Sequence, residues 1–118
     1  MARILVVDDD SASAQTLVQA LHEHGYVETR VASSAADALR AAVEFRPGII
    51  FLGIELPDMG GYEVATHLHR HAPRMRLIAL TSKGEHPARE HARASGFERY
   101  IVKPVTDAAV REVLDTPI

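Results

Sequence analysis

Five short runs of branched apolar residues recur along the chain, and each gap between them is long enough for one helix. They lie at Arg3–Val7, Glu28–Ala32, Ile49–Leu52, Leu77–Leu80 and Tyr100–Val102, with amphipathic stretches of helical length between them. A strand that returns parallel to its neighbour needs a right-handed crossover, so this alternation predicts a parallel sheet with helices on both faces. Ile49-Ile50-Phe51-Leu52 shows no polar alternation, as a strand buried on both faces requires. The expected architecture is α/β, a (βα)5 doubly wound five-stranded parallel sheet, with residues 1–118 as a single domain. A chain of 118 residues, 47% of them hydrophobic, can fill one core but not two.

Period and caps mark the intervening helices. In Ala12–His24 the residues Leu17, Ala20, Leu21 and His24 share a face, and Gly25 supplies the stop. Ser34 with Asp37 has the form of a capping box opening a helix that reaches Phe45 and is ended by Pro47. A third helix is predicted over Gly61–Ala72 with Val64 and Leu68 inward, a fourth from Pro87 to Gly96, and a fifth over Asp107–Asp115.

Composition narrows the function classes. Lys and Arg number 13 against 16 Asp and Glu, a net charge of -3, which gives no broad cationic surface for nucleic acid. Residues 1–7 lead straight into three aspartates, without a signal-peptide core or the roughly 20 apolar residues of a membrane span. A cytoplasmic domain with no membrane partner is the expectation. The absence of cysteine rules out disulfides and thiolate metal sites.

In an open parallel sheet the functional crevice lies beyond the carboxyl ends of the strands, where the strand order reverses. Here the first strand ends in Asp8-Asp9-Asp10, the third in Gly53-Ile54-Glu55-Leu56-Pro57, the fourth in Thr81-Ser82 and the fifth in Lys103-Pro104. Two adjacent carboxylates on a tight turn suit a hard cation such as Mg2+, which takes oxygen ligands and completes its shell with water or phosphate. A hydroxyl and a lysine nearby would hold an anionic ligand of that metal. An acidic strand end taken alone is often only a solvated turn, so the weight rests on the combination.

Four ordered segments carry a resemblance: Ile4-Leu5-Val6-Val7-Asp8-Asp9, Leu56-Pro57-Asp58-Met59-Gly60-Gly61-Tyr62-Glu63-Val64, Ile78-Ala79-Leu80-Thr81 and Tyr100-Ile101-Val102-Lys103-Pro104-Val105. Together they resemble the response-regulator receiver domains of two-component systems, over the full chain. The stretch Gly96 to Val105 and the Leu-Pro loop are most similar to receivers of hybrid sensor kinases. The resemblance implies a flavodoxin-like strand order 2-1-3-4-5 and a Mg2+ site in which Asp9 ligates directly and Asp8 largely through water, with the Glu55 backbone carbonyl completing the shell. It further implies that Thr81 is the hydroxyl that bonds a phosphoryl group, Lys103 the phosphate-binding lysine, and Tyr100, with Thr81, the switch. The bond between Lys103 and Pro104 is expected to be cis. The implied partners are a histidine kinase, a phosphotransfer protein or an effector domain, with the chain itself a monomer or weak dimer.

The family's acceptor aspartate lies four residues before the loop proline, and Pro57 minus four is Gly53. Glycine offers no nucleophile, and phosphoryl transfer needs an attacking oxygen held in line. The acceptor is also a metal ligand in the family, so Mg2+ is expected to bind weakly. Gly60 stands where the loop usually carries aspartate, and Lys83 follows Thr81 by two residues. Glu55, two residues past Gly53 on an extended chain, would point to the same side; pairing with Lys103 and a solvent-facing position are both open. Gly53 itself has three readings: natural divergence, an introduced change, or a backbone requirement for glycine.

His67 and His71 stand at i, i+4 on a helix, a spacing able to bind Zn2+ or Ni2+, but no third ligand is in register and a solvated face is the simpler reading. The expected function is a non-enzymatic receiver acting through phosphorylation-independent protein contacts. The alternative is a conventional phosphoryl-accepting receiver with a variant at position 53. A remote alternative is a small haloacid-dehalogenase-like phosphohydrolase, whose nucleophile motif Asp8-x-Asp10 resembles.

Overall fold

The structure, a computed structural model, describes residues 3–82 and 94–115. Its strands are β1 (Ile4–Val7), β2 (Thr29–Ala32), β3 (Ile49–Gly53), β4 (Arg76–Thr81) and β5 (Arg99–Val102). Its described helices are α1 (Ser11–Glu23), α2 (Ala35–Phe45), α3 (Gly61–His71) and, at the C-terminal end, α4 (Asp107–Asp115). All five strands are parallel in the order β2-β1-β3-β4-β5, as expected. Most of the helix predicted from Pro87 to Gly96 lies outside the described residues, as does Lys83.

Every residue of β1, β3 and β4 is buried, and the strand pleat sends alternate side chains to opposite faces. Leu5, Val7, Ile50, Leu52, Leu77 and Ala79 meet α2 and α3 on one face; Ile4, Val6, Ile49, Phe51, Ile78 and Leu80 meet α1 and α4 on the other. Val64 and Leu68 face inward from α3 as predicted. Two apolar cores therefore flank the sheet, and no side chain of its three central strands is left for solvent.

Helix ends follow short-range chemistry. α1 starts one residue earlier than its period indicates, because the Asp10 carboxylate accepts the Ala12 and Ser13 N–H groups at 3.0 and 3.3 Å and caps the first turn. Ser34 Oγ accepts the Asp37 N–H at 3.2 Å, the forward half of the predicted capping box. α2 stops at Phe45 because Arg46 turns left-handed at φ 52° and Pro47 follows.

One close approach seats α3 on the sheet. The Gly61 N–H donates to the Ile54 carbonyl at 2.9 Å, and a Cβ on Gly61 would lie 2.3 Å from the Gly53 carbonyl oxygen and 2.7 Å from the Ile54 Cα. Both obstacles are backbone, so nothing flexible can yield. Gly60, one residue earlier, has open space around its missing Cβ. Gly61→Ala is accordingly expected to destabilise the fold by about 1–3 kcal/mol, the usual range for overpacking, whereas Gly60→Ala leaves stability within about 0.5 kcal/mol. Urea midpoints of the two variants at unchanged m-value check this difference.

Candidate functional site

The strand register brings four chain ends to one rim. Val7 pairs with Leu52, Gly53 with Leu80, and Thr81 with Val102, so Asp8, Gly53, Thr81 and Lys103 stand side by side at the carboxyl edge. The ladder continues one step past the strands. Asp8 N–H donates to Ala32 O at 3.0 Å, Ile54 N–H to Leu80 O at 2.9 Å and Lys103 N–H to Thr81 O at 2.7 Å. The bond between Lys103 and Pro104 is cis, in agreement with the sequence reading.

Asp8 is the buried carboxylate of this rim, 3% exposed. Its Oδ1 accepts the Asp10 N–H at 3.0 Å and its Oδ2 lies 2.8 Å from Lys103 Nζ. A carboxylate this far from water requires a cation or several donors, and Asp8 has the Lys103 ammonium together with one backbone N–H. A cavity of about 240 Å³ opens beside the pair, lined by Asp10, Ser13, Thr16, Lys103 and Pro104 among others. Asp9 is exposed.

Glu55 corrects one expectation. Its carboxylate does turn toward the rim, but its partner is not Lys103. Oε2 accepts the Thr81 hydroxyl at 2.7 Å, and Oε1 accepts the Ser82 N–H and hydroxyl at 3.2 Å each. Lys103 is engaged by the more deeply buried Asp8, whose need for a counter-charge is greater. Thr81, 1% exposed, thus has its hydroxyl directed at a carboxylate of the same chain.

Gly53 is the buried last residue of β3 and its φ lies outside the left-handed region. That removes a left-handed backbone as the reason for glycine. A Cβ there would meet the Val7 carbonyl oxygen at 3.1 Å, the Leu56 side chain at 3.5 Å and the Asp8 Cα at 3.8 Å, so the strand backbone must give by a few tenths of an ångström to accept one.

Tyr100 is half-buried and packs on the α2–α3 core. Burial, reinforced by electrostatic interaction with the neighbouring Tyr100 and Glu55, pushes the Tyr62 phenol above its ordinary pKa, and the Tyr62 ring meets Phe97 edge-on at 6.3 Å. The aromatic residues therefore lie close to the Glu55 end of the rim. Among the described residues no group of three or more His, Asp or Glu side chains could hold a metal. His67 and His71 border a groove between α2 and α3 without a third ligand. In the phosphohydrolase reading Asp10 would serve chemistry; here its carboxylate caps α1.

A family model for the response regulator receiver domain matches residues 4–115. The chain belongs to this family. As a receiver it is 36% identical over 107 residues to the transcriptional regulatory protein SrrA of Staphylococcus aureus, an alignment covering 91% of this chain and 44% of that protein. The chain thus spans less than half the length of that relative. A CheY-like response regulator receiver domain protein from Methanospirillum hungatei JF-1 matches with a TM-score of 0.89 at 31% identity, covering 97% of this chain and 90% of that one. A receiver domain protein from Clostridium thermocellum matches with a TM-score of 0.89 at 27% identity, covering 98% and 92%. Receivers are signalling modules of two-component systems, where they meet histidine kinases and effector domains. No helix among the described residues is long and apolar enough to cross a membrane.

One working residue escaped the sequence reading. Asp58, in the loop after β3, accepts the Ala35 N–H at 2.8 Å and the Ala36 N–H at 3.1 Å, capping α2 from a position 23 residues away. Aspartate in a Gly-rich loop was the available signal, but its helix is not the next one in sequence. The Ala35 N–H, followed by that of Ala36, holds the Asp58 carboxyl below its ordinary pKa. Because the folded value is depressed, the contribution is fully present above the unfolded pKa of about 4 and is lost as the pH falls through the folded value. The expected outcome is that Asp58→Ala lowers the Tm at neutral pH and that its gap from the native protein closes below about pH 4, measured by thermal denaturation across a pH series.

Proposed function

We propose that this receiver works through protein–protein contact without accepting a phosphoryl group in its pocket. The observation that supports the reading most directly is Gly53 at the end of β3, beside Asp8, where no side-chain oxygen is available for in-line attack. The neighbouring groups are also committed within the chain: Lys103 to Asp8, and the Thr81 hydroxyl to Glu55. Charge neutralisation remains, but a nucleophile does not. The partner in this reading is a histidine kinase, a phosphotransfer protein or an effector domain, engaged through the surface around β5 and α4 that carries Tyr100. Such a partner can bias the domain only by binding one of its conformations more tightly than another.

Mg2+ fits this rim only thinly. Asp8, Asp9 and the Glu55 backbone carbonyl are oxygen donors of the right chemistry, yet both Asp8 oxygens already have partners and the Glu55 carboxylate is directed at Thr81 and Ser82. When bound, the ion would supply positive charge to an anionic ligand. Amide shifts of residues 8–10 and 53–56 are expected to require Mg2+ well into the millimolar range, roughly the weak end for carboxylate sites. Saturation at micromolar Mg2+ would mean that a further carboxylate joins the shell.

A second reading, a conventional phosphoryl-accepting receiver altered at position 53, is favoured by the backbone there, whose φ lies outside the region that favours glycine. Incubation with acetyl phosphate and Mg2+ separates the two. The native chain is expected to keep its intact mass, while Gly53→Asp gains one acid-labile phosphoryl group. A stoichiometric mass gain on the native chain, mapped to Asp8 or Asp9, would overturn the proposal. Persistent inertness of Gly53→Asp would remove the second reading.

A further inference from the structure

The loop after β3 and the loop after β4 are joined by a single side chain. Glu55 reaches across with both oxygens, one taken by the buried Thr81 hydroxyl and the other by the N–H and hydroxyl of Ser82. Three donors on two consecutive residues converge on one carboxylate, and all three are neutral. Hydrogen bonds to an ionised acceptor are stronger than those between neutral groups, so this is a cradle for an oxyanion, and the chain fills it itself.

We infer that Glu55 is a built-in anion, occupying the Thr81–Ser82 cradle, latching the two loops together and excluding free tetrahedral oxyanions from it. The inference deepens the proposed function and rests on it in one respect: with no phosphoryl group attached at position 53, Glu55 is the anion that serves these donors. Lys103 follows Val102, the strand partner of Thr81, yet its ammonium lies against Asp8 at 2.8 Å. The cradle and the cation are thus both satisfied from within.

Competition from outside is weak for two physical reasons. A tethered group acts at an effective concentration of at least about millimolar, and this one is already oriented by three bonds. A free dianion must also enter beside Asp8, Asp9 and the displaced Glu55, all of the same sign. Removing the Glu55 carboxylate deletes the competitor and one of the repelling charges while leaving all three donors in place.

The test is titration with inorganic phosphate at constant ionic strength, following backbone amide resonances in the native protein, Glu55→Ala and Glu55→Gln. In the native protein Thr81 and Ser82 are expected to stay unmoved through roughly 1 mM phosphate, which does not exceed the effective concentration of a tethered competitor. In Glu55→Ala they are expected to shift saturably, with an affinity at least about tenfold higher, and Glu55→Gln, which keeps one oxygen but no charge, is expected to fall between. If Glu55→Ala does not fold, Glu55→Gln against the native protein carries the comparison. Equal phosphate affinity in native and variant proteins, or no saturable shift at Thr81 and Ser82 in either variant, would overturn the inference. A mass gain of the native chain with acetyl phosphate would instead overturn the proposed function, so the two failures are distinct.

Discussion

A parallel strand covered by helices on both faces has no solvated side, and that constraint organises the molecule. β1, β3 and β4 spend every apolar side chain on the two cores, so polar chemistry is confined to where the strands start and stop. The reversal of strand order between β1 and β3 adds the second half. α1 crosses one face and α2 the other, so the two central strand ends are left with a shallow gap between their loops. Asp8 and Gly53 stand at that gap because the chain winds outward from it in both directions.

Burial then decides how the charges at the rim are shared. Asp8 is withdrawn from water far more than Glu55, and an ammonium is worth more to a desolvated carboxylate than to an exposed one. Lys103 is therefore drawn to Asp8, and Glu55 is left with hydroxyls and an N–H. At the opposite end of the sheet the same logic holds the start of β4: Arg76, 7% exposed, donates to both carboxylate oxygens of Glu98 at 2.9 and 2.7 Å, a two-point pairing that only a guanidinium can make.

The fold was legible because its signals are local and repeated. Five apolar runs fell within a residue or two of the strands, and the helix stops near Gly25 and at Phe45 were readable from neighbouring residues. The placement of Asp8, Thr81 and Lys103 on one rim followed from the carboxyl-end rule for open parallel sheets, and the strand order came with the family resemblance. What remained illegible is pairwise and long-range. Three consecutive aspartates give no hint that Asp8 takes a lysine and Asp10 a helix terminus, since their different depths are set by the turn. Glu55 was read to the correct side, but its partner depended on the unseen competition for Lys103. Asp58 caps a helix that precedes it in the chain, a contact with no spacing to betray it.

The sheet separates two cores that share no side chain. Substitutions more than about 7–10 Å apart without common partners combine additively, so changes in the α1–α4 layer and in the α2–α3 layer are energetically almost independent. Epistasis in this domain is thus partitioned by the sheet: compensating mutations arise on the same side as the change they repair. One layer can diversify its surface while the other keeps the strand ends aligned, which gives a small single sheet two separately evolvable halves.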